Sequence, residues 1–276
     1  MKITCILENN ACMEGLHCRH GLSLLAETAK HKILSDFGPD ESFVENAAAL
    51  GIDLAGADMA VLSHGHHDHG DGIAAFFAVN EKAPLYAAES AFEPHFAHHP
   101  SKDGPEYIGV AGAEDIEKME RVKKVSGTLK IDDEVVLFSE ISGKELVSET
   151  NGVLKEMKDG ALVTDSFRHE QNMALFEGDK AVLIAGCAHA GIVNIMERFI
   201  ELFGKAPDVA VSGFHLTAPG GAAGYSKVTQ ALGERLKTYG TKFYTCHCTG
   251  EAAYDVLKDI MGSRLEYFSG GTVIEI

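Results

Sequence analysis

The sequence predicts an α/β chain of the α+β kind, on two observations. β-Rich segments come in consecutive runs with helical segments interspersed, so the pattern is neither a strict βα alternation nor all-β. The polar clusters all follow the end of a strand segment: His64, Cys187 with His189, His215 and His247. Strand ends that meet at one rim are where sheet proteins place their chemistry. The 276 residues fit one large domain or two small ones.

Taken in order, residues 2–8 alternate loosely and read as a first strand. "HGLSLLAETAKHKILSDFG" gives a strand, a turn at "AKHK" and a second strand ending near Asp36. "SFVENAAALGIDL" is a short helix, with Ser42 as N-cap and Gly51 as its stop. "ADMAVLS" is a buried strand, "DGIAAFFAVN" a helix and "APLYAAES" another strand. Residues 93–128, with Pro94, Pro100 and Pro105, are irregular and read as an insertion or cap. Strands resume in "TLKIDDEVVLFSEIS", and residues 147–160 are polar and expected as loop.

"NMALFEGDKAVLIAGC" is a hairpin turning at "EGDK". In "GIVNIMERFIELFG", Ile192, Ile195, Met196, Phe199, Ile200 and Phe203 recur at helical spacing, and Gly204 closes the run. Then come a strand, "PDVAVSGF", a loop, "APGGAAG", and a helix, "YSKVTQALGERLKTYG". A strand, "TKFYTCHC", a helix, "EAAYDVLKDIMG", and a last strand, "GTVIEI", complete the chain.

The net charge of −17 argues against a nucleic-acid or anionic-membrane partner, and no apolar run reaches membrane-spanning length. The expected partner is a small-molecule substrate, with a homodimer as the assembly the chain could form. The start, "MKITCILENNACMEG", lacks a basic n-region, an apolar h-region and a cleavage site, so a cytoplasmic location is expected. There the six cysteines would be reduced.

The chemistry concentrates in "VLSHGHHDHGDG" (61–72). On an extended strand exit His64 and His66 point to one side, two residues apart, and can share an ion. Asp68 and His69 follow as the chain turns into a helix and can reach a second. His67 faces the other way and is expected to be a bystander. Imidazole and carboxylate donors suit zinc first, with iron or manganese as alternatives.

Three further strand ends bring candidates. "GCAHAGI" supplies Cys187 and His189 at a helix start, where a histidine is a ligand or a packed residue. "SGFHL" offers His215 as a ligand or a substrate contact, against a structural role. "YTCHCTG" sets His247 between Cys246 and Cys248. Strand alternation would turn both thiols away from the histidine side, so they are expected as buried, reduced cysteines. Asp36 is placed to accept from a ligand histidine and fix its tautomer. "HFAHHP" (His95, His98, His99) is expected as exposed polar loop. "RHEQN" fails as a zinc-protease helix because Met173 stands where a second histidine is needed, and neither a G-x-S-x-G elbow nor a P-loop occurs.

"SHGHHDH" resembles the H-x-H-x-D-H signature of the metallo-β-lactamase superfamily, and Asp36 resembles the aspartate that precedes it. "HGLSLL", "GCAHAGIVN", "GFHL" and "CHCTG" are similar to the branch of the 7,8-dihydropterin-6-yl-methyl-4-(β-D-ribofuranosyl)aminobenzene 5′-phosphate synthases. The resemblance implies a four-layer αββα sandwich formed by residues 1–276 as a single domain. It also implies two divalent ions, with His64 and His66 on one, Asp68 and His69 on the other, and His247 as the final histidine ligand. The superfamily's bridging aspartate falls where this chain has Cys187. His189 is then the best remaining ligand, His169 a candidate for an earlier one, and Asp68 and His189 are expected to carry the catalysis.

The expected activity is metal-dependent hydrolysis of a phosphorylated small molecule through an activated water. Thr249 and "APGGAAG" are expected to receive the phosphate through backbone N–H groups, beside His215. The alternatives are a transferase joining a dihydropterin diphosphate to a ribofuranosylaminobenzene 5′-phosphate, and a metal-binding sensor or redox protein without turnover.

Overall fold

The computed structural model describes residues 1–99, 103–217 and 225–276; "APGGAAG" lies outside them. The chain opens with an antiparallel meander of β1 (Lys2–Leu7), β2 (Ser23–Glu27) and β3 (Lys32–Ser35). Helix α1 (Ser42–Ala49) leads to β4 (Met59–Leu62), the one-turn α2 (His67–Gly70), α3 (Ile73–Val79) and β5 (Leu85–Ala88). Strands β3, β4 and β5 run parallel. Ser42 is the first helical residue rather than the N-cap, which is Glu41; the Ser42 N–H donates to Asp40 Oδ1, one residue further out.

Residues 93–128 divide between two sheets. They hold β6 (His95–Ala97), β7 (Glu106–Tyr107), the short α4 (Ala113–Ile116) and β8 (Val122–Val125), and β8 pairs in parallel with β5. Next come β9 (Thr128–Lys130) and β10 (Val135–Phe138), then a hairpin of β11 (Leu154–Lys158) and β12 (Ala161–Thr164). The polar stretch 147–160 is therefore part strand, not loop. Leu154 and Glu156 turn inward on β11, so the alternation is there, but one inward residue is a carboxylate and the usual hydrophobic signal is lost.

The expected hairpin is β13 (Asn172–Glu177) with β14 (Lys180–Ile184). A parallel series follows: α5 (Ile192–Phe203), β15 (Val209–Ser212), α6 (Thr229–Leu236), β16 (Lys242–Thr245), α7 (Glu251–Met261) and β17 (Leu265–Tyr267). Strand β18 (Val273–Glu275) returns to pair with β1.

Two seven-stranded sheets result, in the orders β18-β1-β2-β3-β4-β5-β8 and β17-β16-β15-β14-β13-β10-β9. Alternation sorts their side chains into layers. Val61, Val182 and Ile184 pack between the sheets with Ile3, Leu24, Leu137, Leu175 and Val211. Leu62, on the opposite face of β4, packs outward with Phe37, Phe43 and Phe76 against α1 and α3. Leu183, on the opposite face of β14, packs with Met196, Phe199, Leu232 and Leu257 from α5, α6 and α7. The layers are helix, sheet, sheet and helix. A four-stranded sheet, β12-β11-β6-β7, lies alongside.

Candidate metal centre

The parallel strands of both sheets end at one rim. β4 delivers His64 and His66, β14 delivers Cys187 and His189, β15 delivers His215 and β16 delivers His247. The turns are tight: Asp36, Ala188, His215 and His247 all take positive φ, between 47° and 61°. Left-handed backbone at non-glycine residues is uncommon, and its clustering marks a functional rim. Gly65, between the first two histidines, has no room for a side chain, since a Cβ there would lie 2.1 Å from the Ala91 carbonyl oxygen.

Hydrogen bonds fix which nitrogen of each ring carries the proton. Asp36 Oδ1 accepts from Ser63 N–H at 2.7 Å, and its Oδ2 accepts from Ser63 Oγ and from His69 Nδ1, each at 2.7 Å. Ser63 Oγ, having given its proton to Asp36, accepts from His64 Nδ1 at 2.9 Å. Asn151 Nδ2 donates to the His189 carbonyl, which turns Asn151 Oδ1 toward His189 Nδ1 at 3.2 Å. Asn9 Oδ1 accepts from His247 Nδ1 at 2.8 Å.

The Nε2 atoms of His64, His189 and His247 are therefore bare, and they converge. His64 and His189 face each other at 3.3 Å, and His69 and His247 at 3.2 Å. Asp68 Oδ2 is 3.2 Å from His247 Nε2 and 3.8 Å from His69 Nε2. His66 Nε2 is buried without a hydrogen-bond partner. His64, His66 and His189 each bring a donor atom within 4.8 Å of the others, and His64, His69 and Cys187 do the same. Cys187 Sγ lies 3.2 Å from His69 Nε2, between the two groups. This donor set fits divalent cations: neutral imidazoles, one carboxylate and a thiol, all buried.

The electrostatics point the same way. Burial, reinforced by neighbouring histidines, drives His64, His66 and His189 well below the ordinary imidazole value and keeps them neutral. Burial opposes ionised Asp68, but His69 and His247 outweigh it and hold the carboxyl well below the usual carboxylate range. His69 is the exception among the rings: burial opposes its charge, yet Asp36 and Asp68 push it up to about 9. In the ion-free chain one proton on His69 thus stands in for a cation.

His169 lies beside this centre in a further donor cluster with His66, His95 and Asp165, and its hydrogen bonds decide its role. Its Nδ1 accepts from Gly65 N–H at 2.9 Å, so its proton is on Nε2 and points to Asp165 Oδ2 at 3.3 Å. His95, expected in an exposed loop, is buried on β6, with Nδ1 3.1 Å from the same oxygen. The short strand draws it inward because Asp165 offers the partner. Asp165 also accepts from Phe167 N–H, and these bonds hold it far below its ordinary value against the desolvation of burial. His95, Asp165 and His169 form a brace behind Gly65. His98 is exposed and His99 partly so.

Two expectations at the last strand end change. Cys246 does turn into the inter-sheet core, but Cys248 does not turn away. β16 stops at Thr245, and a 3-10 turn over His247–Thr249 breaks the alternation, bringing Cys248 near Cys187 and His247. Thr249 is fully buried; its hydroxyl accepts from Phe214 N–H and bonds Thr245 Oγ1, so it braces the turn rather than facing a ligand. His215 belongs to no ligand cluster among the described residues. It lines the cleft over the centre, with Nδ1 3.1 Å from Thr150 Oγ1, and burial holds it down to about 4. His67 is partly exposed and outside every cluster.

Sequence reading missed Ser63, Asn9, Asn151 and Glu170. Glu170 caps the His189 turn, accepting from His189 N–H at 2.6 Å and Ala190 N–H at 3.0 Å, and burial pushes its carboxyl up to about 7. Ser63 adjoins the histidine cluster and Glu170 follows His169 in "RHEQN"; Asn9 and Asn151 become neighbours of the centre through folding alone. The cleft over the centre measures about 240 Å³. A larger cavity of about 520 Å³ lies beyond His189, lined by Phe167, Arg168 and Lys144.

This layered architecture with its rim of histidines is the metallo-β-lactamase fold. Tm1679, a metal-dependent hydrolase of the β-lactamase superfamily, superposes with a TM-score of 0.81 at 25% identity, covering 100% of this chain and 99% of its own. Among curated proteins, the 7,8-dihydropterin-6-methyl-4-(β-D-ribofuranosyl)-aminobenzene-5′-phosphate synthase of Methanocaldococcus jannaschii is 28% identical over 270 residues, covering 93% of this chain and 90% of the relative. The uncharacterized protein MJ0448 of the same organism is 28% identical over 278 residues, covering 98% and 99%. No protein-family model matches the sequence. Among the described residues no helix is long and apolar enough to cross a membrane.

Proposed function

We propose that this chain is a metal-dependent hydrolase with a binuclear centre, acting on a phosphorylated small molecule. The observation that carries the reading is the convergence of bare Nε2 atoms on His64, His189 and His247 with the ionised Asp68. His64, His66 and His189 would hold one ion, and Asp68, His69 and His247 the other, with Cys187 between them. Zinc is the first choice because it accepts imidazole, carboxylate and thiolate together; iron and manganese are the alternatives.

Divalent ions there would supply Lewis acidity and an ionised water near neutral pH. The chain's own part is preorganisation. Asp36 orients His69 directly and His64 through Ser63, while Asn151 and Asn9 orient His189 and His247. The cleft walls, including His215 and Thr150, orient the substrate.

A transferase is the second reading, favoured by the 28% identical relative, a synthase whose name specifies a 5′-phosphate product. The same relative supports a phosphorylated substrate. The test is to purify the chain without chelator, measure its metal, and assay phosphodiester, lactone and thioester hydrolysis against His66→Ala. Hydrolysis abolished in His66→Ala supports the first reading. Consumption of a dihydropterin diphosphate only when the ribofuranosylaminobenzene phosphate is present supports the second. Metal binding with neither activity leaves a sensor or redox protein, for which Cys187 is the relevant feature.

A further inference from the structure

His20, in the "HGLSLL" segment, stands at the mouth of the centre with its side chain 67% exposed. Its ring centroid is 4.7 Å from that of His247, and its Nε2 is 3.5 Å from Asp68 Oδ2. A donor atom of His20 lies within 4.8 Å of those of Asp68 and His247, so proximity alone would make it a third ligand. Asn9 decides otherwise. Gly21 N–H donates to Asn9 Oδ1 at 3.4 Å, which fixes the orientation of the amide. That oxygen also accepts from His247 Nδ1 at 2.8 Å, leaving Asn9 Nδ2 to donate to His20 Nδ1 at 3.3 Å. One amide thus sets the two rings in opposite tautomers. His247 has a bare Nε2, as a ligand needs. His20 has a bare Nδ1 and carries its proton on Nε2, where a ligand would need a lone pair.

The position of His20 is built as firmly as its tautomer. A Cβ on Gly21 would lie 2.4 Å from the Asp68 carbonyl oxygen, and Leu22 N–H donates to that same oxygen at 3.3 Å. The turn carrying His20 is therefore pressed onto the peptide that carries Asp68. The contact with Asp68 Oδ2, at 3.5 Å the longest of these, engages the Nε2 proton weakly and leaves it free to turn to a closer acceptor.

We infer that His20 is a substrate-binding residue and not a metal ligand: held in its Nε2–H form by Asn9, it donates a hydrogen bond to an anionic oxygen of the substrate. The inference rests on the metal-dependent reading above. It also gives a role to a histidine that the superfamily signature leaves out.

The test uses the full zinc-loaded chain with inorganic phosphate as the probe. Metal content is measured by elemental analysis, phosphate affinity by calorimetry and the histidine tautomers by long-range 15N NMR. His20→Ala is expected to keep the wild-type metal content and bind phosphate about tenfold more weakly, the effect of one hydrogen bond to a charged group. His20→Gln, which restores an N–H donor, is expected to recover part of that loss. Asn9→Asp replaces the donor facing His20 Nδ1 with an acceptor, so the ring is expected to switch tautomer and phosphate affinity to fall. Loss of metal in His20→Ala, unchanged phosphate affinity in it, or a proton on His20 Nδ1 in the wild type would each overturn the inference. A zinc-loaded wild type that binds no phosphate overturns it while leaving the metal reading intact. A wild type that holds no metal overturns the metal reading, and this inference with it.

Discussion

His64 Nε2 and His189 Nε2 face each other at 3.3 Å, with each ring's proton on the opposite nitrogen. Two lone pairs this close repel unless a cation lies between them, and Asp68 Oδ2 with His247 Nε2 repeats the relationship at 3.2 Å. The two groups are expected to fail separately. His189→Ala and His247→Ala should each retain about half of the wild-type metal by elemental analysis, and His67→Ala all of it. Complete loss in either single variant would mean one shared ion instead of two.

Removing the ions should also destabilise the fold. An ion present at a hundred times its dissociation constant contributes about 2.7 kcal/mol. For a chain of this size that corresponds to roughly 5–8 °C in Tm. Calorimetric scans with and without chelator measure it directly, and coincident transitions would argue against a bound ion.

Ion binding should release a proton. His69 titrates at about 9 in the ion-free chain, above its ordinary 6.5, so at neutral pH it must deprotonate to become a ligand. Apparent affinity is expected to rise about tenfold per pH unit until the pH reaches that value, then level off. Calorimetry in buffers of different ionisation enthalpy should report about one proton released per ion at this site. The sign for stability is opposite. With its folded value raised, His69 stabilises the ion-free chain fully below 6.5 and loses that contribution as pH rises through about 9. His64, His66 and His189, with lowered values, instead weaken the ion-free fold as pH falls below 6.5, because only the unfolded chain takes up their protons.

Asp165 braces the signature from behind. Asp165→Asn places an amide donor among the N–H groups of His95, His169 and Phe167. A loss of about 2–4 kcal/mol in urea unfolding is expected. Metal affinity should fall about tenfold or more, because the His169 bond to Gly65 slackens. Unchanged affinity would make the brace purely structural.

Gly65→Ala should be worse than its size suggests. The added Cβ would lie 2.1 Å from a backbone oxygen that cannot swing aside. A loss on the order of 3 kcal/mol, with displaced His64 and His66, is expected from overpacking at a rigid contact. A thermal midpoint and metal content equal to wild type would show that the Ala91 segment yields.

Much of this protein is written locally. The apolar runs "ADMAVLS" and "AVLIAGC" determined strands because both of their faces are buried, and the helical spacing from Ile192 to Phe203 determined a helix because burial on one face imposes a period. H-x-H-x-D-H marked the candidate centre, since donors one to five residues apart need only one strand exit and one turn to meet. The tertiary structure decided the rest. His189 and His247 reach His64 and Asp68 from the other sheet, across 125 and 179 residues of chain. Cys248 enters the site because β16 ends early. Which nitrogen of each ring is bare depends on Asp36, Asn9 and Asn151, ordinary polar residues whose meaning lies wholly in what folding sets beside them. A tautomer is set by a hydrogen-bond partner, and no spacing in a sequence records a partner brought in by the packing of two sheets.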